Sequence, residues 1–453
     1  MTLFVQANKT VVVIGAGFAG TTVVRQLERK LLKDWRLILI SEESYTTFNP
    51  MLAEVVGAGV FPEHVIAPVR EMLKSAQFIM GRVQRVDYAR RVIQCDTLAG
   101  SQDIAFDHLV LAFGQRANMD VMPGMAEHAL PLKLVGDAMY IRNRILQRLA
   151  CMELTQDADE RRALGAFVVV GGGFSGVEVA GAMADFVRSA LRFYPRVDKQ
   201  DIKISLLHNG ERLLPELPAA LGDSAASSLM SRGVTVRCGL MAESVNSAGV
   251  VLAGGVLVPA RTVICTIGVR PNPLTKLLGL ALVRGRIAVA EDGRVKEHAG
   301  VWALGDCAAT PLGTGGAICP PTAQFAVAQA EHTANNILAQ IAQRPTQPFH
   351  YKSRGMMATT GHLKGVAQVF GINLSGMAAW LAWRGYYLML MPTLGRKVRI
   401  WVEWTWAMFF PLDITHLRFT RTHEVDPPID RPMTQPPTSA ANSPLHSAFT
   451  SQL

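Results

Sequence analysis

Two sets of glycines in this chain are spaced to hold a diphosphate. Gly15, Gly17 and Gly20 in VVVIGAGFAG (residues 11–20) and Gly171, Gly173 and Gly176 in FVVVGGGFSGVEVA (residues 167–180) each read GxGxxG after a run of β-branched residues. The first glycine of such a set allows a sharp turn, the second lets backbone approach a pyrophosphate, and the third lets the next helix press on the sheet. The free N–H groups of that helix's first turn then face the anion. Two copies imply two dinucleotides.

A strand, residues 36–40 (RLILI), follows the first motif, and Glu42 stands about 20 residues past it, where an acid binds ribose hydroxyls. The alternative for Glu42 is a solvated surface acid. The corresponding strand of the second unit, residues 202–207, ends at His208-Asn209. The acid that selects NADH is missing there, which leaves NADPH open beside NADH. Asp306 follows Gly305 at the end of another short apolar strand and suits a ribityl or ribose hydroxyl. Gly114 closes the buried strand FDHLVLAFG, another point where backbone can approach a cofactor. Pro50, with Phe48 and Asn49, reads as loop or as cofactor lining. Thr322 is a fitting N-cap for a helix over 322–340, and Gln324 in its first turn is placed to face a flavin or its electron acceptor, the alternative being an exposed helix-start glutamine.

The elements needed to position these residues fit the length of 453 residues, which exceeds a single core. The expected fold class is α/β, with two Rossmann-like dinucleotide-binding domains and a C-terminal membrane-associating α+β appendage. Residues 1–117 and 295–345 form the first domain, 118–294 the NAD(P)H-binding domain and 346–423 the appendage. A connecting amphipathic helix is expected over 132–164, and 424–453, rich in Pro, Ser and Thr, as a disordered tail. No CxxC occurs among the six cysteines, so neither a zinc site nor a disulfide framework is implied. The net charge of +9 comes without a nucleic-acid module, which points to anionic lipid. Neither a signal peptide nor a membrane-spanning segment is expected, the stretch 377–391 being interrupted by Arg384.

Both glycine motifs, AFG at 112–114, GVRPNP at 268–273, LGDCA at 304–308 and PPTAQ at 320–324 together resemble the two-dinucleotide-binding flavoproteins. Among these the chain is most similar to type II NADH dehydrogenases, the single-subunit NADH:quinone oxidoreductases. The resemblance spans residues 10 to about 421. It implies FAD at the first motif and Asp306, and NADH at the second motif with Glu178. It further implies that Gln324 lies beside flavin and quinone, with Ala323 and Gly268 among the cofactor-binding positions. The implied reaction is two-electron reduction of a membrane quinone by NADH through FAD, without proton pumping, at the cytoplasmic face of the inner (cell) membrane. Three features depart from the family: Ala328 where many members carry a second glutamine, with Gln329 one place on; Ser41 and His208 at the strand ends; and AFG in place of ATG.

Five of the seven tryptophans, Trp380, Trp383, Trp401, Trp404 and Trp406, crowd the C-terminal region. Arg384, Arg396, Lys397, Arg399, Arg418 and Arg421 outnumber the nearby acids Glu403 and Asp413. Aromatic and basic residues on short apolar helices suit an in-plane lipid anchor over 377–423. A packed core or a homodimer interface is the alternative. If the region is only an anchor, a chain stopped before Met377 keeps flavin reduction by NADH. Two rival functions remain: a slow flavin-binding redox sensor or scaffold, and a sulfide:quinone-type oxidoreductase, which needs thiols such as Cys151 and Cys319 to meet by folding.

Overall fold

The computed structural model describes residues 9–313 and 316–417. Val11, Val12 and Val13 are fully buried, as a run apolar on both faces must be when helices cover both sides of a parallel sheet. Strand Lys9–Ile14 lies between Trp35–Ser41 and His108–Leu111, with Val12 opposite Ile38 and Leu109. Val301–Ala303 and Gln77–Asp87 extend the parallel sheet on either side. Val92–Thr97 and Gly100–Ala105 add an antiparallel ribbon, completing seven strands. Helix Phe18–Lys30 packs on this sheet beside helix Ala323–Ile341, and Ala326, Ala330 and Ala334 are small enough to let the two approach. The Thr322 hydroxyl caps the second of these helices by accepting from the Phe325 N–H.

The second domain repeats the plan with five parallel strands in the order Ala129–Pro131, Thr262–Cys265, Ala166–Val170, Lys203–Leu207 and Val234–Arg237. Its helix Phe174–Ala190 is buried along almost its whole length, wedged between its own sheet, helix Leu52–Val56 and the C-terminal region. The connecting helix expected over 132–164 is two helices, Val135–Leu154 and Ala158–Leu164. The break has a local cause: Asp157 Oδ1 accepts the Asp159 N–H at 2.8 Å and starts the second helix.

The chain crosses between domains on two antiparallel strands, Gln115–Ala117 and Val269–Pro271. After the return crossing, Leu278, Leu280, Ile287 and Val289 share a buried cluster with Val12, Ile14 and Ile38. Residues that the boundary at 294 assigned to the second domain therefore pack in the first.

The C-terminal region is α+β: a three-stranded antiparallel sheet, Gly355–Thr359, Gly365–Val369 and Ile372–Ser375, followed by helices Gly376–Leu390 and Leu394–Phe409. Its tryptophans divide into two groups, which corrects the reading of them as one anchor. Trp380, Trp383 and Trp404 are 1–3% exposed, whereas Trp401 and Trp406 are 58% and 59% exposed. Trp383, Ile400 and Trp404 share one buried cluster with Phe167, Val177 and Phe186 of the second domain. Helical spacing explains the split, because Ile400 and Trp404 lie four apart on the inner face while Leu394, Val398, Trp401, Val402 and Phe409 line the outer one. No helix among the described residues is long and apolar enough to cross a membrane. The expectations for Arg418, Arg421 and the tail at 424–453 lie outside the described residues.

Candidate functional site

The two glycine turns are the same joint built twice. Gly15 has φ +104° and donates its N–H to Ile40 O at 2.8 Å; Gly171 has φ +118° and donates to Leu207 O at 2.8 Å. A Cβ on Gly20 would overlap the carbonyl oxygen of Gly15, and one on Gly176 would overlap that of Gly171. These glycines are required by the protein itself. Gly17 and Gly173 are not, since nothing lies within 4 Å of a Cβ built on either. Space that the protein leaves empty at the mouth of a helix N-terminus fits a diphosphate.

Asp306 lies in a single helical turn, Gly305–Cys307, just beyond Val301–Ala303. It is half-buried, and the desolvation raises its pKa, with Lys133 and Arg286 acting against that rise. None of the described residues donates a hydrogen bond to this carboxylate. An acceptor so placed fits a hydroxyl-bearing ligand. Gln329 Oε1 accepts the Gly305 N–H at 2.7 Å and holds this turn. Gln329 therefore faces the Asp306 turn. One signal was available: Gln329 lies four residues after Phe325 and three after Ala326, on the buried face of its helix, where a polar side chain needs a partner.

Glu42 is ion-paired with Arg116 at 2.9 Å and Arg82 at 3.5 Å beyond the strand end at Ser41. Pro50 lies in the turn Asn49–Met51, next to Phe48, whose ring meets that of Phe18 edge-on at 5.3 Å. Gly114 adopts φ +64°. Gly268 adopts φ +76°, and a Cβ there would lie 2.5 Å from Val121 Cγ2, so linker packing alone accounts for it. His208 supports the second glycine turn: its Nδ1 accepts the Gly172 N–H at 3.2 Å, and burial lowers its pKa. The ring is thus neutral, with its proton on Nε2.

The two residues implied as catalytic, Glu178 and Gln324, sit on helices of different domains, and one C-terminal strand joins them. At the start of Gly355–Thr359, Gln324 Nε2 donates to Gly355 O at 3.3 Å and Gln324 Oε1 accepts from Arg354 N at 2.9 Å. At its end, the Thr359 N–H donates to Glu178 Oε1 at 3.2 Å, and the same oxygen accepts from Trp383 Nε1 at 3.0 Å. Burial pushes the Glu178 carboxyl up to about 8 against these two donors, and Glu54 adds to the rise. Ala323 is the first residue of the helix carrying Gln324. Arg384, expected at a lipid surface, is half-buried against two indoles: its guanidinium is 3.7 Å from the Trp380 ring centroid and 4.6 Å from that of Trp404. Desolvation lowers its pKa to about 10, opposed by Glu54.

Two Rossmann units with matching open glycine turns, joined by a paired double crossing, define a flavoprotein that binds two dinucleotides. The chain belongs to the pyridine nucleotide-disulphide oxidoreductase family, which it matches over residues 9–330. It is 29% identical to the type II NADH:quinone oxidoreductase Ndh of Mycobacterium tuberculosis, over 87% of each chain. It is 28% identical to a mitochondrial internal alternative NAD(P)H-ubiquinone oxidoreductase of Solanum tuberosum, over 90% of this chain and 88% of that one. Its fold is similar to that of NDH2 from Plasmodium falciparum, solved with NADH (TM-score 0.83, 18% identity), over 90% of this chain and 99% of that one. The sulfide:quinone oxidoreductase of Aquifex aeolicus shares the fold at a TM-score of 0.67 and 16% identity, over 89% and 96% of the two chains. FAD and a nicotinamide dinucleotide are the cofactors.

Proposed function

We propose that the chain is a peripheral, single-subunit NADH:quinone oxidoreductase that transfers two electrons from NADH to a membrane quinone without pumping protons. The observation that carries this reading is the pair of open glycine turns whose two domains are joined, at Gln324 and Glu178, by one strand. Bound FAD would supply the redox chemistry, accepting two electrons from the nicotinamide and passing them to the quinone. The chain's own residues do the rest. Gly17 and Asp306 seat the flavin nucleotide, and Gly173 seats the NADH diphosphate. The buried Glu178 carboxyl, with its raised pKa, holds a proton at neutral pH beside the second motif. Gln324 stands at the quinone side. Purified protein should oxidise NADH with a short-chain quinone; a flavin that NADH reduces but quinone leaves reduced would favour the sensor reading.

The sulfide reading draws less support. All six cysteines are free, and burial pushes the Cys307 thiol, next to Asp306, up to about 12, which leaves little thiolate at neutral pH.

His208 bears on the choice of nucleotide. A neutral ring at the strand end neither grips a 2′-hydroxyl as a carboxylate does nor repels a 2′-phosphate. NADH should be preferred over NADPH by only about a few-fold to tens of times, since one lost ribose contact is worth ~1–3 kcal/mol. His208→Glu should sharpen that preference roughly tenfold in the ratio of kcat/KM values, and an unchanged ratio would remove His208 from nucleotide selection.

An exposed apolar stripe on the outer face of Leu394–Phe409, with Lys397 and Arg399 to its two sides, supports attachment to an anionic membrane surface. Trp401→Ser with Trp406→Ser should weaken binding to anionic vesicles while flavin reduction by NADH is retained, because neither ring belongs to the buried cluster. Undiminished vesicle binding would place the contact elsewhere.

A further inference from the structure

Trp383 lies in the C-terminal region, outside both nucleotide folds, and is 1% exposed. Its indole N–H donates to Glu178 Oε1 at 3.0 Å, and the Thr359 N–H reaches the same oxygen at 3.2 Å. Both donors converge on Oε1, and no described residue donates to Oε2. The indole is itself fixed, its ring meeting Tyr387 edge-on at 4.7 Å and lying 6.0 Å from the Trp404 ring. We propose that Trp383 is a positioning residue for Glu178: its N–H holds Oε1, sets the carboxyl's orientation and makes the C-terminal region part of the Glu178 site. The inference rests on the reading of Glu178 as a residue of the NADH:quinone site, although its main test requires no turnover.

An indole N–H aimed at a carboxyl oxygen favours the ionised form, so losing it must raise the affinity of Glu178 for its proton. The other groups that face the carboxyl stay in place in such a variant. They are Glu54 from helix Leu52–Val56, which raises the Glu178 pKa, and the Tyr387 phenol from the same helix as Trp383. Arg384 acts on Glu54. Phenylalanine keeps an aromatic ring at 383 but has no N–H, so W383F separates the hydrogen bond from the packing.

The experiment is an infrared titration of flavin-loaded protein, following the C=O stretch of protonated Glu178, identified by its loss in E178Q. In W383F the midpoint should rise by about one unit, a tenfold gain in proton affinity. In quinone turnover, W383F should lower kcat with little change in the KM for NADH, and adding W383F to E178A should cost nothing further, because the carboxyl that it positions is gone. A midpoint unmoved in W383F, or losses that add in the double variant, would overturn the assignment and leave Trp383 as packing. If W383F does not accumulate with flavin, indole ¹⁵N labelling of the natural protein and of E178Q gives the answer. One of the seven indole N–H resonances should shift in E178Q and should titrate with the carboxyl in the natural protein; if none does, the proposal fails. Absence of quinone turnover in the natural protein would defeat the proposed function while leaving the titration result standing.

Discussion

Gly17→Val is expected to yield folded, colourless protein, whereas Gly20→Val is expected not to accumulate at all. Both replace a glycine of one motif with the same side chain, so the contrast isolates what each glycine is for. A Cβ at Gly20 would overlap the Gly15 carbonyl oxygen, which is backbone and cannot rotate away. Overpacking in such a place costs about 1–3 kcal/mol or more, a large share of the roughly 5–15 kcal/mol that holds a domain folded. A Cβ at Gly17 meets nothing within 4 Å, and the protein tolerates it. What the branched side chain fills is the diphosphate space. The measurement is flavin absorbance per mole of protein beside a thermal unfolding curve. Gly17→Val should lose nearly all of the absorbance and only the stabilisation that the bound ligand supplied. A full flavin complement in Gly17→Val would show that the first motif does not seat FAD.

Stopping the chain after residue 376 should destroy the fold, with attachment and catalysis lost together. The sequence suggested a removable anchor, but Trp383, Ile400 and Trp404 are buried among residues of the second domain, Phe167, Val177 and Phe186. Loss of a buried tryptophan side chain costs about 3–5 kcal/mol, and the truncation removes three, since Trp380 is also 2% exposed. The sum reaches the whole stability of a typical domain. Glu178 would also lose Trp383, one of its two donors. Soluble yield, melting temperature and flavin bleaching by NADH would report the outcome. A truncated protein that melts cooperatively near the temperature of the full chain and still bleaches with NADH would return the tryptophans to the role of accessory anchor.

Both Rossmann units were legible in the sequence because the signals that mark them are local: a β-branched run, three glycines at fixed spacing and a helix. The Thr322 cap was legible for the same reason. What could not be read was pairing across the chain. Nothing near Glu178 in sequence points to Trp383, 205 residues away, and nothing near Gln324 points to Gly355. The tryptophan cluster misled because composition does not tell which face of a helix looks inward. A count of aromatic and basic residues treats Trp404 and Trp401 alike, although one is 3% and the other 58% exposed. Arg384 misled similarly, its charge suggesting a free surface cation while two indole rings pack against it.

The strand Gly355–Thr359 has a mechanical consequence. Two domains linked by a pair of crossing strands can bend about that pair as about a hinge. A third tie, hydrogen-bonded to Gln324 on one side and Glu178 on the other, acts as a brace beside that pair. The seam then resists opening as well as twisting, and its width is set by covalent backbone, a span of roughly 13 Å for five extended residues. A seam braced in this way should exchange its nucleotides without a swing of one domain against the other.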